Sequence, residues 1–222
     1  MARLLHAFLL LAVGLPVALG DGAAHGLAHL LRARNELGAA PWSAIVQLTR
    51  HDPDRPTETA LVFEFADALW FYRPVDGTQS LSRHWNNVAR ERLQLLELMR
   101  AIDPVCTAWR EYPASELGSL VPAGGELPNG CFIQSAAEAL RLNRHGDACL
   151  LSYYVATNEG QRGHTVLCYE DSGRTRVYDP ADGHTTAVRG LSLRNKAMNL
   201  ARAVVSERLL HGLTKAATIT LR

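Results

Sequence analysis

Hydrophobic residues in the N-terminal half fall into short runs rich in β-branched and aromatic side chains, a pattern typical of strands. The runs are separated by turn residues such as Pro53, Pro56 and Asp76-Gly77. The four strands predicted from them are Ser43–Arg50, Thr59–Phe65, Leu69–Arg73 and Thr78–Ser82. A short helix over Ala23–Leu37, stopped by Gly38, precedes these strands. The pattern therefore predicts a helix followed by an antiparallel meander.

Apolar residues recur at helical spacing between Arg83 and Ile102, which predicts a second helix. Ser82 is its predicted cap, and Asp103-Pro104 ends it. The stretch Tyr112–Pro128 holds three prolines and three glycines and is predicted to be a loop. It is either a linker between domains or an ordered loop that lines a cleft, and the residues after it favour the second alternative.

The C-terminal part is predicted to contain a helix, three strands and a long final helix. The first helix, Cys131–Asn143, follows a cap at Asn129 and ends near Gly146. The strands are Ala148–Ala156, His164–Glu170 and Arg174–Asp179, joined by the polar loop Thr157–Gly163 and a Ser172-Gly173 turn. The final helix is capped by Ser192 and has an apolar face of Ala197, Ala201, Val204 and Val205. The predicted fold class is α+β, with residues 21–125 preceding a core of residues 126–222.

The first twenty residues differ in character from the rest of the chain. Arg3 precedes an apolar stretch from Ala7 to Leu19, and Ala18-Leu19-Gly20 offers small residues before a cleavage point. This layout is typical of a secretory signal peptide. The alternative is an uncleaved anchor, but the stretch is shorter than the ~20 residues that span a bilayer. We therefore expect residues 1–20 to be removed and the protein to be periplasmic or secreted, without a stable membrane span.

Bulk composition is that of an ordinary globular protein, with 47% hydrophobic and 20% charged residues. The formal net charge is +1, and no basic stripe runs along the sequence, which argues against nucleic acid as a partner. The cysteine spacings fit no tight zinc pattern. The sequence therefore gives no reason to expect a metal ion or an organic cofactor.

Four cysteines are present: Cys106, Cys131, Cys149 and Cys168. Export would permit disulfides. If Cys131 stays a free thiol, at most one bridge can form among the other three. Cys149 and Cys168 are the better pair, because they lie on strands predicted to be neighbours. The sequence leaves this pairing open.

Cys131 lies in the first turn of its predicted helix. Unpaired backbone N–H groups and the positive end of the helix dipole favour a thiolate over a thiol there. A thiolate is the nucleophilic form, and a helix start leaves its sulfur within reach. The alternative is a buried small hydrophobic residue, the commonest fate of a free cysteine. The residues that follow along the chain favour the nucleophile.

A thiol nucleophile needs a base, and the base needs a partner that orients it. His164 begins one apolar strand, and Asp179 ends the next. If Ser172-Gly173 is a two-residue hairpin loop, Asp171 pairs with Arg174. His164 and Asp179 then project from one face as diagonal neighbours, ~7–8 Å apart between backbones. An odd-length loop would place them on opposite faces.

This order of elements resembles the papain-like and transglutaminase-like superfamily of cysteine enzymes, in an uncharacterised bacterial branch. The resemblance covers about Leu127–Gly183 and is strongest at Gly163-His164-Thr165-Val166 and Val177-Tyr178-Asp179-Pro180. It implies a catalytic helix packed on an antiparallel sheet and a protein or peptide substrate. It also implies that Cys131 attacks an amide or ester carbonyl, that His164 transfers the proton, and that Asp179 holds the imidazole tautomer.

Two positions depart from the family pattern. Phe132 follows the cysteine where transglutaminases often have tryptophan, and Gly125–Pro128 lacks the glutamine that papain-like peptidases place before the cysteine. The backbone N–H of Cys131 is the first expected oxyanion donor. Candidates for the second donor, if the first half folds over the site, are Gln79, Trp85 and Gln94. These departures keep an alternative function open: a binding or assembly module without turnover.

Other candidate residues have simpler explanations. His184 is a competing base but lies beyond the proline turn, and His145 suits a helix end. Tyr153 and Tyr154 must point to opposite faces of their strand, so one of them at most lines a cleft. An aromatic cluster is expected to serve packing, or else to form a substrate-binding face; its members are Phe63, Phe65, Trp70, Phe71 and Tyr72.

Overall fold

The computed structural model describes residues 21–54, 57–82, 95–100, 103–144, 146–158, 160–205 and 210–221. Within these ranges the chain is α+β, with two antiparallel five-stranded sheets and five helices. The α+β prediction is confirmed. The predicted leader over residues 1–20 lies outside the described residues, as do His145, Trp85 and Gln94.

The first sheet has the strand order β4-β3-β2-β1-β5, and its neighbouring strands are antiparallel. Its strands are β1 (Ser43–Arg50), β2 (Thr57–Phe65), β3 (Ala68–Arg73), β4 (Gly77–Ser82) and β5 (Cys106–Glu111). Helix α1 (Asp21–Glu36) precedes them, so the predicted helix and meander are confirmed. The sequence did not predict β5, because four of its six residues are exposed and leave no alternating pattern.

Both faces of the first sheet are covered. On one face, Phe63 packs in a cluster with α1. On the other, Phe71 packs with Met99 of α2, a helical segment over residues 95–100. This segment belongs to the helix predicted over 83–102, of which residues 83–94 and 101–102 lie outside the described residues.

The second sheet has the order β10-β6-β7-β8-β9 and is also antiparallel. Its strands are β6 (Ala148–Thr157), β7 (Gly160–Asp171), β8 (Arg174–Asp179), β9 (His184–Val188) and β10 (Leu213–Thr220). Helix α4 (Cys131–Arg141) packs on one face of this sheet, and α5 (Ala197–Val204) packs on the other. The loop predicted over 157–163 is too long, because β6 extends to Thr157 and β7 already begins at Gly160.

The β7–β8 hairpin has the predicted register. Asp171 pairs with Arg174 across a two-residue turn. Ser172 and Gly173 both have positive φ, of 52° and 73°, which is the conformation that matches the twist of a two-residue hairpin. The even-length turn therefore keeps His164 and Asp179 on the same face of the sheet.

Three predicted helix signals are wrong. Asn129 does not cap α4; it has a φ of 48°, and the N-cap is Gly130. The helix ends at Arg141, with Asn143 rather than Gly146 taking the first left-handed conformation beyond it (φ 50°). Helix α5 is short and begins after Lys196, while the Ser192 hydroxyl accepts the N–H of Arg194 in a turn.

One hydrophobic cluster joins the two sheets. It contains residues of α1 and β2 together with Ile133 of α4 and Leu167 of β7. The predicted loop over 112–128 adds Leu117, in the one-turn helix α3 (Ala114–Leu117), and Leu127 to this cluster. The loop is therefore held by burial of its apolar residues. The division of the chain at residues 125 and 126 stays a prediction.

Candidate functional site

Cys131 is the first residue of α4. The preceding turn is fixed by Asn129, whose side-chain amide donates to the backbone oxygens of Pro74 (2.8 Å) and Val75 (3.0 Å). At Gly130 a Cβ atom would lie 2.6 Å from the Leu127 side chain, so only glycine lets the helix begin this close to the packed turn. The backbone of the first half thus positions the start of the helix that carries the sulfur.

His164 and Asp179 are in direct contact. Nε2 of His164 lies 2.7 Å from Oδ1 of Asp179. The same carboxylate oxygen accepts the backbone N–H of Ala181 at 2.9 Å, which fixes the acid at the end of β8. Since Nε2 is engaged, Nδ1 is the ring nitrogen left for the hydrogen bond between His164 and the Cys131 side chain.

Thr165 connects the sulfur to the sheet. Its backbone and side-chain groups both help to lower the pKa of Cys131. Its carbonyl oxygen accepts a hydrogen bond from Ser135 Oγ at 3.0 Å. The carbonyl oxygen of Thr165 is therefore turned toward α4. It can reach the helix because β7 continues past β8, whose last pair with it is Leu167–Tyr178.

The charges of the three groups support one another. Burial raises the pKa of Cys131, but hydrogen bonding to His164, the charge of His164 and the two bonds from Thr165 bring it below its ordinary value. Burial lowers the pKa of His164, but hydrogen bonds to Asp179 and Cys131 raise it to about 9. Burial raises the pKa of Asp179, but the His164 bond, the Ala181 N–H and the His164 charge lower it. The net shift of each pKa favours the charged form of its group, a thiolate beside an imidazolium.

Cys131 and His164 open onto a cleft of about 930 Å³. One wall comes from β3 and β4, and the other from β6, β7 and β10. Beside His164 the Tyr154 ring lies over Gly163, where a Cβ atom would be 2.9 Å from ring carbon Cε1. Tyr154 is 39% exposed, and Lys215 Nζ lies 5.9 Å from its ring centroid. The cleft thus offers an aromatic surface and a cation next to the base.

Of the expected oxyanion donors, the Cys131 N–H is suitably placed, whereas the Gln79 side chain is not. The N–H of Cys131 has no acceptor within the helix, because it belongs to the first turn. Gln79 lines the cleft, but it is paired with Phe71, whose side chain lies in the cluster on the other face of the sheet. Thr78 and Ser80 are paired with Tyr72 and Trp70 and so face the cleft. The side chain of Gln79 is therefore directed away from the sulfur.

The other candidate residues from the sequence either line the cleft or lie away from it. Tyr153 and Tyr154 face opposite sides as predicted: the first is buried with its ring centroid 5.6 Å from that of His164, and the second lines the cleft. His184 is exposed and lies opposite Asp179 on β9, but the carboxylate bonds to His164 instead. Of the aromatic cluster, Trp70 lines the cleft while the other members are buried.

Two residues at the site, Thr165 and Lys215, are not predicted from the sequence. Lys215 belongs to β10, a strand that the sequence pattern does not predict. Thr165 follows His164 directly in the chain, so its proximity to the histidine follows from the sequence. Its proximity to the sulfur depends on how α4 packs, which the sequence does not predict.

Comparison of the chain with family models, with curated proteins and with solved structures found no match. The superfamily resemblance therefore stays a prediction that rests on the chain's own residues. In the described part of the chain, no helix combines the length and apolar character needed to cross a membrane.

Proposed function

We propose that the protein is a cysteine-nucleophile enzyme that transfers an acyl group from an amide or ester of a protein or peptide through a thioester. The observation that carries this proposal is the chain of contacts from Asp179 through His164 to Cys131 at the mouth of a large cleft. The catalytic core would be of the papain-like/transglutaminase-like type. The predicted leader would place the activity in the periplasm or outside the cell.

The geometry supports a two-step reaction. The Cys131 thiolate attacks the carbonyl carbon, and the resulting oxyanion receives the N–H of Cys131. As the bond to the leaving amine breaks, that nitrogen takes the proton of the His164 imidazolium, and a thioester remains. Water then gives a proton to His164 and attacks the thioester, which releases an acid and restores the thiolate. An amine in place of water would give transfer instead of hydrolysis.

Asp179 has a positioning role in this scheme. Its carboxylate holds Nε2 of His164, which leaves Nδ1 for the sulfur, and its charge stabilises the imidazolium. A catalytically silent binding module is the second candidate. It is favoured by one observation, the orientation of Gln79 away from the site, which leaves the oxyanion with a backbone donor but without this side chain.

The rate of alkylation by iodoacetamide across the pH range separates the two candidates. For the enzyme we expect Cys131 to react rapidly at mildly acidic pH, because its thiolate is held by His164 and Thr165. The His164→Ala variant should lose this reactivity at acidic pH, whereas the control His184→Ala should keep it. Peptide mass mapping assigns the label. A rate that rises only near the ordinary pKa of a thiol, equally in all three proteins, would favour the silent module.

Trapping of the intermediate tests turnover. After incubation with a panel of peptidyl esters, we expect an acyl adduct on Cys131 that hydroxylamine removes, as a thioester requires. Cys131→Ala should keep the fold and lose both adduct and turnover. Turnover retained in Cys131→Ala would refute the proposed nucleophile.

A further inference from the structure

Two buried cysteines face each other behind the site. Cys149 on β6 and Cys168 on β7 are directly opposed in the antiparallel register. Both belong to the cluster between the second sheet and α5, and they are 4% and 0% exposed. Interaction between the two thiols lowers the pKa of Cys149, and the same interaction together with burial raises that of Cys168. All four cysteines are free thiols in this structure.

The register places these two residues within bridging distance. Directly opposed residues of antiparallel strands have Cα atoms ~4.5–5.5 Å apart, and disulfides span ~4.4–6.8 Å. Opposed residues also share a face of the sheet, so both sulfurs lie on the side that α5 covers. A bridge therefore requires the side chains to rotate but no change in strand pairing.

The fold keeps the other two cysteines apart from this pair. Cys131 lies at the cleft, where its sulfur is engaged by His164 and Thr165. Cys106 lies on β5, in the cluster on the far face of the first sheet, with its sulfur 3.5 Å from the oxygen of Ala108. The nucleophile proposed above is thereby separated from every cysteine that could capture it within the chain.

We propose that Cys149 and Cys168 are a redox-modification site that a low-molecular-weight disulfide converts into a cross-strand bridge. With glutathione disulfide, the Cys149 thiolate attacks one sulfur and releases a glutathione thiolate. The Cys168 thiolate then attacks the Cys149 sulfur of the mixed disulfide and releases the second glutathione. Two protein thiols are oxidised to one disulfide, and one glutathione disulfide is reduced to two thiols.

The bridge would act on the strand that carries the proposed base. His164 lies on β7 on the same face as Cys168, with Val166 between them. Joining β6 to β7 at this point fixes their register without touching the cleft. In an oxidising compartment the bridge would use up the two buried thiols, while Cys131 would keep its free thiol at the cleft.

The test is refolding of the reduced, denatured full-length chain in a glutathione redox buffer, so that the oxidant reaches both sulfurs before they are buried. Free thiols are then alkylated under denaturing conditions, and the protein is digested without reduction. We expect the peptides of Cys149 and Cys168 to be recovered as one linked species that is two hydrogen atoms lighter than their sum. Cys106 and Cys131 should carry the alkyl label.

Variants give matched controls. Cys106→Ser and Cys131→Ala should still form the bridge, whereas Cys149→Ser should leave Cys168 alkylated. The wild-type map needs no variant, so a variant that fails to fold does not affect the decision. Recovery of Cys149 and Cys168 as separately alkylated or separately glutathionylated peptides would overturn the proposal. A bridge that includes Cys131 or Cys106 would overturn it as well. None of these outcomes depends on the proposed enzyme activity.

Discussion

Burial by itself would favour the neutral form of each group at the site. It raises the pKa of Cys131 and Asp179 and lowers that of His164. Interactions with the neighbouring groups outweigh this cost in all three cases, and the imidazole is the neighbour that Cys131 and Asp179 share. The three pKa shifts therefore depend on one another. Removal of Cys131 or Asp179 should change the pKa of His164 most directly.

The pKa of His164 gives the first prediction. It is about 9 in the folded protein, against an ordinary value of 6.5. In Asp179→Asn the carboxylate charge is lost, so we expect this pKa to fall. Because the folded value is raised, the stabilisation from His164 is complete below the ordinary value and is lost as the pH rises through about 9. The Asp179→Asn variant should therefore be less stable than the wild type at neutral pH. Above the wild-type pKa of His164, the two proteins should differ little in stability.

NMR titration of the His164 ring measures the shift, and denaturant unfolding across the same pH range measures the stability. Asp182→Asn is the control, because the Asp182 carboxylate accepts only a turn N–H, that of His184, in the described contacts. An unchanged His164 pKa in Asp179→Asn would contradict the proposed charge coupling.

Gly163 and Tyr154 make a second prediction at the cleft. A Cβ at position 163 would lie 2.9 Å from the Tyr154 ring, so Gly163→Ala must displace the ring or the strand. We expect a loss of about 1–3 kcal/mol in the free energy of unfolding. In a Tyr154→Ala background the same alanine should cost much less, because the clash is gone. A double-mutant cycle in denaturant measures this difference, and strict additivity would show that the ring does not restrict position 163.

The elements that the sequence predicted are those with a strong local signal. The β7–β8 hairpin follows from Ser172-Gly173, since a turn that accepts two positive φ angles fixes the register and so the shared face of His164 and Asp179. By contrast, β9 and β10 are edge strands whose side chains are mostly exposed, and exposure removes the alternation that marks a strand. The meeting of Cys131 with His164 depends on packing between distant segments, which no local pattern in the sequence predicts.

The contact between α4 and β7 gives a third prediction. Ser135 is fully buried, and its hydroxyl donates to the Thr165 oxygen. Ser135→Ala leaves that buried carbonyl without this donor, which should cost about 1–3 kcal/mol of unfolding free energy. Because Thr165 also helps to lower the pKa of Cys131, we expect slower alkylation of Cys131 at acidic pH. The control Ser119→Ala is exposed and should change stability by less than about 0.5 kcal/mol. Equal effects of the two variants would contradict the role assigned to Ser135.

The two sheets share a core, and Phe132 lies where they meet. Its ring centroid is 4.5 Å from that of Trp70, 6.2 Å from that of Phe65 and 6.3 Å from that of Phe63. The residue that departs from the transglutaminase pattern is thus a packing residue that joins the helix of the nucleophile to the first sheet. A cleft formed between two sheets keeps its shape only while such contacts hold the sheets together.

This shared core predicts that the chain unfolds as one unit rather than as two separate domains over 21–125 and 126–222. All four tryptophans lie in the first half, at positions 42, 70, 85 and 109, so their fluorescence reports on that half. Alkylation of the buried Cys149 and Cys168 in the reduced protein reports on the second. We expect both probes to give one coincident denaturant transition. The free energy of unfolding should fall by about 3–5 kcal/mol in Phe132→Ala and by less in Phe132→Leu. Two separate midpoints in the wild type would mean that each half folds alone, and the cleft would then lie between domains free to move apart.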